Sequence, residues 1–341
     1  MTRALVTGAA GFLGSRLTAL LAARGDHVRA LDLPRAAWDR VSALPRVAIF
    51  HGDITDRAAV DAAMDGVAEV FHVAALYELG TRDPARMRRI NVGGTANVLE
   101  AAHARWLRVV HVSTVAALGG TGESLEDESH WNTAAPGSAY EATKREAHEL
   151  ARRMIREGAR IRIAMPATIY GAGDPSMIGR AHAWMAKGWL KVGVRPELRL
   201  AFVHVDDCAD GVLRVGDRGK DGEEYILTAQ TVRLAECFEA FARASGRAPP
   251  RAYVPTWLVA ASGRLVRRLP DRAGPLRLLR DATAMSDGQH WAFSGGKARR
   301  ELGWSPRSFD EGLADAARDY GDARPLGRSR TPKPAASRES V

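Results

Sequence analysis

The chain has 341 residues, 46% of them hydrophobic, which is enough for one large domain or two smaller ones with a sizeable core. Its formal net charge of +9 comes largely from arginines within residues 255–280 and after Gly321, not from one surface that also carries aromatic side chains, so we expect no nucleic-acid partner. The sequence has no apolar run of about 18 residues and no pattern of a secretory leader, so we expect a cytoplasmic protein without a transmembrane segment. Its two cysteines are too few for a disulfide framework and lack the spacing of metal ligands, so we expect no metal site.

The first recognisable element is a glycine-rich turn between a strand and a helix. A β-rich run, Arg3–Thr7, leads to Gly8, Gly11 and Gly14, and apolar residues at helical spacing then predict a helix over Phe12–Arg24. Glycine permits a backbone angle that other residues avoid, lets a pyrophosphate touch the main chain, and allows close packing of helix on strand. The N-terminus of the helix adds free N–H groups for the phosphates.

A second β-like run, His27–Leu31, ends in Asp32. A carboxylate at this distance from the turn is typical of the residue that accepts the hydroxyls of an adenosine ribose, although Asp32 could also be a turn residue before Pro34. The order of strand, glycine turn, helix, strand and acid predicts a dinucleotide-binding site.

Strand and helix patterns alternate over the first 165 residues. Strands are predicted at Arg3–Thr7, His27–Leu31, Val47–His51, Glu69–Val73, Arg108–Ser113 and Arg160–Met165, and helices at Phe12–Arg24, Arg57–Met64, Ala85–Ala104 and Ala139–Glu157. Buried, non-alternating strands between helices indicate a parallel sheet covered on both faces, which is a Rossmann-type doubly wound α/β fold. Ligands of such sheets bind outside the carboxyl ends of the strands, so the chemistry is expected after each strand.

Small and acidic residues follow the third and fourth strands. Asp53 and Ile54 could hydrogen bond the amino group of an adenine and pack on its ring, while Ala74 and Ala75 would let the chain pass close to the ribose and the pyrophosphate. Asp53 could instead cap the next helix, a role for which Asp56 also competes.

Hydroxyl and amine side chains follow the fifth strand. Ser113 and Thr114 stand at its end, and Tyr140 and Lys144 lie four residues apart on one face of the next predicted helix. A neighbouring cation favours a phenolate, so we expect Lys144 to lower the pKa of Tyr140 and make it a usable acid and base. Thr114 could hold a substrate oxygen against Tyr140. A tyrosine and a lysine four residues apart are common on helices, so this spacing alone is weak evidence of a catalytic pair. The dinucleotide-binding turn earlier in the chain supports that interpretation.

Together these motifs resemble the extended short-chain dehydrogenase/reductase family, in family order over residues 3 to about 320. The matching pieces are Thr7 to Gly14, Gly52-Asp53-Ile54, Asn91 to Leu99, Val112-Ser113-Thr114, Tyr140-x-x-x-Lys144, Pro166 to Gly171 and Phe202 to Asp207. The resemblance implies an NAD(P)-dependent dehydrogenase or reductase, closest in pattern to dihydroflavonol-reductase-like and 3β-hydroxysteroid-dehydrogenase-like members. Family members often dimerise through the helices matching residues 85–104 and 139–157, so a homodimer is expected.

The resemblance also implies a role for each matched position. Thr114 would be the catalytic hydroxyl, Tyr140 the proton donor or acceptor, and Lys144 the residue that binds the nicotinamide ribose. Asn91 would lie near the nicotinamide and Pro166 would approach its carboxamide. Cofactor contacts are implied for Gly8, Gly11, Phe12, Leu13, Gly14, Asp32, Asp53, Ile54, Ala74, Ala75, Asn91, Tyr140, Lys144 and Pro166.

The acid after the second strand also bears on the choice of cofactor. Asp32 favours NAD, because a carboxylate repels a 2′-phosphate at short range. Arg16 and Arg35 are close enough in the sequence to leave NADP open.

Three departures from the pattern of nucleotide-sugar enzymes favour a mostly apolar ketone or secondary alcohol as the small-molecule substrate. Ala117-Leu118-Gly119 replaces a Val-Tyr-Gly, Leu200 occupies the position of a diphosphate-binding arginine with Arg199 beside it, and an Arg-x-Gly-Asp motif is missing between residues 265 and 295. A nucleotide-sugar epimerase or dehydratase with tightly bound NAD stays the alternative. A dinucleotide-sensing protein without turnover is a third hypothesis.

An amphipathic segment within residues 255–280 places apolar side chains at helical spacing opposite arginines. It could be a helix that packs on the core of a small lobe. It could also form a lid over an apolar substrate or contact a membrane surface.

We expect a dinucleotide-binding domain over residues 1–165, a substrate-binding lobe with returns to the sheet over 166–320, and a disordered basic tail over 321–341. In the lobe, a strand is predicted at Tyr225–Thr228 and helices at Val205–Val215, Val232–Ser245, Lys297–Leu302 and Phe309–Tyr320. Loops 76–82, 116–138 and 172–185 are expected to line the substrate pocket, with His130, Trp131 and Trp184 as candidates.

Overall fold

The computed structural model describes residues 2–254 and 289–322. The strands are β1 (Arg3–Thr7), β2 (His27–Asp32), β3 (Val47–His51), β4 (Glu69–His72), β5 (Arg108–Val112), β6 (Ile161–Pro166), β7 (Thr168–Tyr170), β8 (Val192–Val194), β9 (Arg199–His204), β10 (Glu224–Leu227), β11 (Gln230–Arg233) and β12 (Ala252–Val254). The helices are α1 (Phe12–Arg24), α2 (Arg57–Ala63), α3 (Pro84–Arg88), α4 (Thr95–Ala104), α5 (Ala139–Arg156), α6 (Met177–Ala186), α7 (Val205–Arg218), α8 (Leu234–Ser245), α9 (Gly296–Leu302) and α10 (Phe309–Asp322). The expectations for the arginine-rich segment 255–280 and for the tail after residue 322 lie outside the described residues.

Seven strands form one parallel sheet in the order β10-β6-β5-β4-β1-β2-β3. The central strand β1 pairs with β2 on one side, where Val6 lies opposite Ala30, and with β4 on the other, where Val6 lies opposite Phe71. The strand order reverses at β1, which is where ligands bind in open sheets of this kind. The predicted doubly wound α/β fold is confirmed.

Helices cover both faces of this sheet. Successive residues of its central strands point to opposite faces, so each of these strands contributes side chains to two separate clusters. On one face, Leu17 of α1 and Val212 of α7 pack against Val6. On the other face, Val60 of α2 and Leu99 of α4 pack in one cluster with strand residues of the opposite set. The two cysteines are free and buried, Cys208 on α7 and Cys237 on α8, as small core residues.

The helix predicted over residues 85–104 is interrupted. It consists of α3, a π-helical stretch over Arg89–Gly94, and α4. A Cβ at Gly94 would lie 2.5 Å from the Cδ1 atom of Ile54, so glycine is needed where this stretch approaches the β3–α2 connection. The periodicity of apolar residues does not distinguish a widened turn from a regular one, which explains why the sequence predicts one continuous helix.

The chain after Pro166 contains more strands than the sequence predicts. Strands β11, β9 and β7 form a small sheet and β12 pairs with β8. Helix α8 begins at Leu234 rather than at Val232, because β11 occupies Gln230–Arg233. Helix α6 begins at Met177, inside the segment 172–185 that is predicted as a loop. Strands β7, β8 and β12 have three residues each, too few for their pattern to stand out from loops.

Among the described residues, no helix combines the length and the apolar character needed to cross a membrane. Helices α4 and α5, through which relatives are expected to dimerise, pack against each other within one chain. Dimerisation therefore stays a prediction.

Candidate active site

The glycine turn after β1 forms a cradle that side chains would fill. Gly8 has a φ of +68°, and a Cβ there would lie 2.8 Å from the Cα atom of Ala74. A Cβ at Gly14 would lie 2.0 Å from the carbonyl oxygen of Gly8. Helix α1 begins directly after Gly11, which has no side chain to cap the first N–H groups. The turn therefore fits a pyrophosphate on the exposed helix N-terminus.

Asp32 ends β2 beside this turn. Its Oδ2 atom accepts a hydrogen bond from the N–H of Ala10 at 3.0 Å, and its Oδ1 atom accepts one from the N–H of Leu33 at 2.8 Å. The carboxylate is thus fixed at the carboxyl end of the sheet, where an adenosine ribose would lie. Arg16, one of the two arginines that left NADP open, is instead paired with Asp206 of α7 at 3.4 Å.

The two acids after β3 have separate roles. Asp56 caps α2, since its side chain accepts from the N–H groups of Ala58 and Ala59. Asp53 accepts from the N–H of Thr55 at 2.9 Å and lines the cavity described below. Asp56, and not Asp53, therefore caps α2. Asp53 lines the cavity beside Ile54, where the two residues could contact an adenine.

Thr114 and Tyr140 face the same cavity. Thr114 follows β5 and caps a short 3₁₀ helix, because its Oγ1 accepts from the N–H of Ala116 at 3.2 Å. Tyr140 stands in the first turn of α5, whose start is fixed by the cap of Ser138 on the N–H of Glu141. Both side chains line the same cavity, and the hydroxyl of Thr114 is close enough to the phenol to lower its pKa.

Lys144 lies one turn after Tyr140 and is buried, with 4% of its surface exposed. Its Nζ atom donates to the carbonyl oxygen of Val112 at 3.1 Å. Burial lowers the pKa of Lys144 to about 8. Burial likewise raises the pKa of Tyr140 to about 12, and the nearby hydroxyl of Thr114 offsets only part of this rise. The expectation that Lys144 lowers the pKa of Tyr140 is therefore wrong in this structure, because the cost of burying a phenolate is the larger effect.

One cavity of about 510 Å³ connects the glycine turn to Tyr140. The expected site residues that line it are Gly8, Gly11, Phe12, Leu13, Gly14, Asp32, Asp53, Ile54, Ala74, Ala75, Thr114, Tyr140, Lys144 and Pro166. In the wall beyond Tyr140, further lining residues come from two of the predicted pocket loops, Tyr77 and Leu79 from 76–82 and Asp174, Ser176, Met177 and Ile178 from 172–185. Leu200 also lines the cavity, as do three residues that the sequence does not single out, Arg86, Ile90 and Trp291. Most of these further residues are apolar.

Asn91 lies behind the cavity wall, not in it. Its side chain accepts from the N–H of Leu76 at 2.7 Å and donates to the carbonyl oxygen of Leu76 at 3.0 Å. It also donates to the hydroxyl of Thr143 on α5 at 3.2 Å. Asn91 does not line the cavity in which the nicotinamide would lie. Its side chain instead fixes the backbone of Leu76, next to Tyr77. The π-helical stretch points Asn91 at Leu76.

The aromatic candidates for the pocket lie elsewhere. His130 packs on Phe293, with ring centroids 5.7 Å apart, and Trp131 packs under the guanidinium of Arg152 at 4.6 Å. Neither of these residues, nor Trp184, lines the cavity. Trp291 does, because its backbone joins Leu200 of β9 in an isolated bridge.

Asp174 is the most buried of the added polar residues, with 6% of its surface exposed. Its Oδ1 atom accepts from the N–H of Ser176 at 2.7 Å and its Oδ2 atom from the hydroxyl of Ser176 at 2.8 Å. Burial raises the pKa of Asp174 to about 6. The side chain of Ser176 in turn caps α6, so these two residues fix the start of the helix that brings Met177 into the cavity.

A model of the NAD dependent epimerase/dehydratase family matches residues 4–227. Sterol demethylase protein B of Methylococcus capsulatus is 32% identical over 324 residues, which cover 92% of this chain and 96% of that protein. The 4-hydroxy-2-methyl-3-oxo-4-farnesyl-3,4-dihydroquinoline-1-oxide ketoreductase of Stigmatella aurantiaca is 33% identical over 334 residues, covering 94% and 97% of the two chains. The crystal structure of a dTDP-glucose 4,6-dehydratase of Streptomyces venezuelae with NAD bound has a TM-score of 0.76 at 28% identity and covers 93% and 96%. The chain belongs to the NAD-dependent epimerase/dehydratase family, as its resemblance to extended short-chain dehydrogenases/reductases implies.

Proposed function

We propose that the protein is an NAD-dependent oxidoreductase that interconverts a ketone and a secondary alcohol on a mostly apolar substrate. The observation that carries this proposal is that Thr114, Tyr140 and Lys144, one turn after Tyr140, line the same cavity as the glycine turn. Residues 1–165 supply the cofactor side of this cavity and residues 166–320 contribute to its substrate side.

Each of the three side chains has a separate role in such a reaction. Bound NAD supplies the hydride chemistry at its nicotinamide ring. With a pKa of about 12, Tyr140 is protonated at neutral pH and can donate its proton to a ketone oxygen as that oxygen gains negative charge. Thr114 holds the same oxygen through its hydroxyl, and Lys144 adds positive charge beside the phenol. The residues thus align the carbonyl and stabilise the developing charge.

The wall beyond Tyr140 supports an apolar substrate. Leu200 faces the cavity, whereas the guanidinium of its neighbour Arg199 hydrogen bonds the carbonyl oxygen of Glu123 and does not line the cavity. The position that would bind a diphosphate in a sugar enzyme is therefore a leucine here. The names of the two relatives, a sterol demethylase protein and a ketoreductase of a farnesylated ring system, also fit an apolar substrate.

A nucleotide-sugar dehydratase is the second candidate, favoured by the likeness to the dTDP-glucose 4,6-dehydratase. In that reaction the hydride leaves the sugar and returns to it, so the cofactor shows no net change. Net oxidation or reduction of added cofactor with a ketone or alcohol therefore separates the two candidates.

The test is a screen of apolar ketones, secondary alcohols and nucleotide sugars with NAD(H) and NADP(H), followed at the absorbance of the reduced nicotinamide. With a substrate in hand, Tyr140→Phe should leave the Kd of NADH nearly unchanged. It should lower kcat by at least about 100-fold, because the proton donor is lost. Near wild-type turnover in this variant would contradict the mechanism.

A further inference from the structure

Six charged side chains line the cavity, and nearly all of them are already engaged by the protein. They are Asp32, Asp53, Arg86, Glu141, Lys144 and Asp174. The carboxylates of Asp32, Asp53 and Asp174 accept the hydrogen bonds described above. Glu141 accepts from the N–H of Gly137 at 2.9 Å, and the ammonium of Lys144 donates to Val112.

Arg86 is the exception. Its guanidinium makes no hydrogen bond or ion pair with any residue of the ranges 2–254 and 289–322. Its backbone is nevertheless fixed, since its N–H donates to Asp83 at 2.8 Å at the start of α3. Two residues later, Arg88 pairs with Glu146 of α5 through a hydrogen bond of 2.9 Å. Arg86 thus projects from a helix that is docked on the helix carrying Tyr140.

An unpaired guanidinium in the wall of a mostly apolar cavity is suited to one kind of ligand group. Its planar set of N–H donors matches two oxygens of a carboxylate, and such paired contacts are stronger than neutral hydrogen bonds. Around it the wall offers Tyr77, Leu79 and Ile90, which suit hydrocarbon. We propose that Arg86 recognises an anionic substituent, in the first place a carboxylate, on the apolar substrate of the reaction proposed above, on which this inference rests.

Two other ligands carry anionic oxygens that could reach Arg86. One is the pyrophosphate of the cofactor itself, and the other is the diphosphate of a nucleotide sugar. A diphosphate fits the wall less well than a carboxylate, because Leu200 lines the cavity at the position where a sugar enzyme would have its diphosphate-binding arginine. The experiment therefore includes an arm for each source.

The experiment uses the full chain loaded with NADH and two probes that differ by one charge, 3-oxo-5β-cholan-24-oic acid and its methyl ester. Binding of each probe, of NADH and of UDP is measured by titration of NADH fluorescence for the wild type, Arg86→Gln and Arg86→Lys. Arg89→Gln is the matched control, because Arg86 and Arg89 are both exposed but only Arg86 lines the cavity.

We expect the wild type to bind the acid more tightly than the ester. Arg86→Gln should raise the Kd of the acid about tenfold, a usual effect of losing a charge-assisted pair. It should leave the Kd values of the ester and of NADH unchanged. Arg86→Lys should lie between, Arg89→Gln should match the wild type, and the preference for the acid should shrink in 1 M salt.

Four results would overturn the inference. The first two are equal binding of the acid and the ester by the wild type, and an unchanged Kd of the acid in Arg86→Gln. The third is a rise in the Kd of NADH in Arg86→Gln, which would assign Arg86 to the cofactor. The fourth is Arg86-dependent binding of UDP, which would assign Arg86 to a nucleotide. None of these results affects the proposed oxidoreductase, which fails only if no ketone or alcohol is turned over in a Tyr140-dependent way.

Discussion

The ring of Tyr77 meets the ring of Tyr140 edge to face, with centroids 4.9 Å apart. Tyr77 is 46% exposed and stands on the segment that Asn91 holds through Leu76. An edge-to-face pair contributes about 0.5–1.5 kcal/mol, and Tyr77 lines the cavity in which the proposed apolar substrate would bind. The pair therefore links the position of the proposed proton donor to the entrance of the cavity.

Replacing Tyr77 tests this link. Tyr77→Ala should raise KM for an apolar ketone roughly five- to tenfold, because the aromatic contact surface is lost. The Kd of NADH should stay near the wild-type value. Tyr77→Phe keeps the ring and should behave like the wild type in steady-state kinetics. If the alanine variant keeps a wild-type KM, or if the phenylalanine variant fails equally, the ring is not a substrate contact.

The low pKa of Lys144 predicts the pH dependence of ketone reduction. Its pKa of about 8 means that the ammonium is charged below pH 8 and loses its proton above it, while Tyr140, with a pKa of about 12, stays protonated over the same range. We expect kcat/KM to be level up to about pH 8 and to fall above it. Lys144→Arg keeps the cation, so its lower activity should lack this alkaline fall. A wild-type alkaline limb in that variant would assign the titration to another group.

Asp32 predicts the preference for NAD over NADP. Its carboxylate faces the cavity and is fixed by the N–H groups of Ala10 and Leu33. Asp32→Ala should raise the Kd of NADH about tenfold and that of NADPH much less, because the same change removes a ribose acceptor and a repulsive charge. The matched control is Asp53→Ala at the adenine end, which should weaken both cofactors equally. Equal losses in both variants would reduce Asp32 to a turn residue.

The cofactor half of the site could be predicted from the sequence because its determinants are local. The turn from Gly8 to Gly14 needs glycines at fixed spacing. Asp32, Asp53 and Thr114 each stand at or just after the end of a short apolar run that predicts a strand, although only the strands β2 and β5 are largely buried and β3 is not. A parallel sheet then brings all these strand ends to one edge. No long-range information beyond the alternation of strands and helices is required.

The substrate half could not be predicted in the same way. Leu200 and Trp291 reach the cavity through pairing between segments that are far apart in the sequence, and strands as short as β7 and β8 carry too few residues for a pattern. The pKa of Tyr140 also escaped prediction, because the sequence shows the nearby ammonium of Lys144 but not the burial that outweighs it. Packing, rather than spacing, decides both outcomes.

A chain of side chains behind the site joins three elements. The hydroxyl of Ser113, beside Thr114, lies 2.9 Å from the Nδ1 atom of His148 on α5, and the Nε2 atom of the same ring lies 3.3 Å from the Oε1 atom of Glu224 on β10. Glu224 also receives two hydrogen bonds from Arg152, one of them at 2.8 Å. This chain connects the last strand of the sheet to the wall of the cavity.

Glu224 therefore predicts an acid-dependent part of the stability. Burial alone would raise the pKa of Glu224, but the hydrogen bonds and charge of Arg152 and the nearby imidazole of His148 outweigh it and lower the pKa to about 2. Since an unfolded glutamate has a pKa of about 4.3, the contribution is complete above that pH and is lost as the pH falls from there towards 2. Glu224→Gln should lower the free energy of unfolding at pH 7 by roughly 2 kcal/mol and flatten its decline between pH 5 and 3, as measured by urea titration. Glu100→Gln, which removes the exposed partner of Arg57, should change it by less than about 0.5 kcal/mol. If both variants show the wild-type decline, Glu224 does not anchor this chain of side chains.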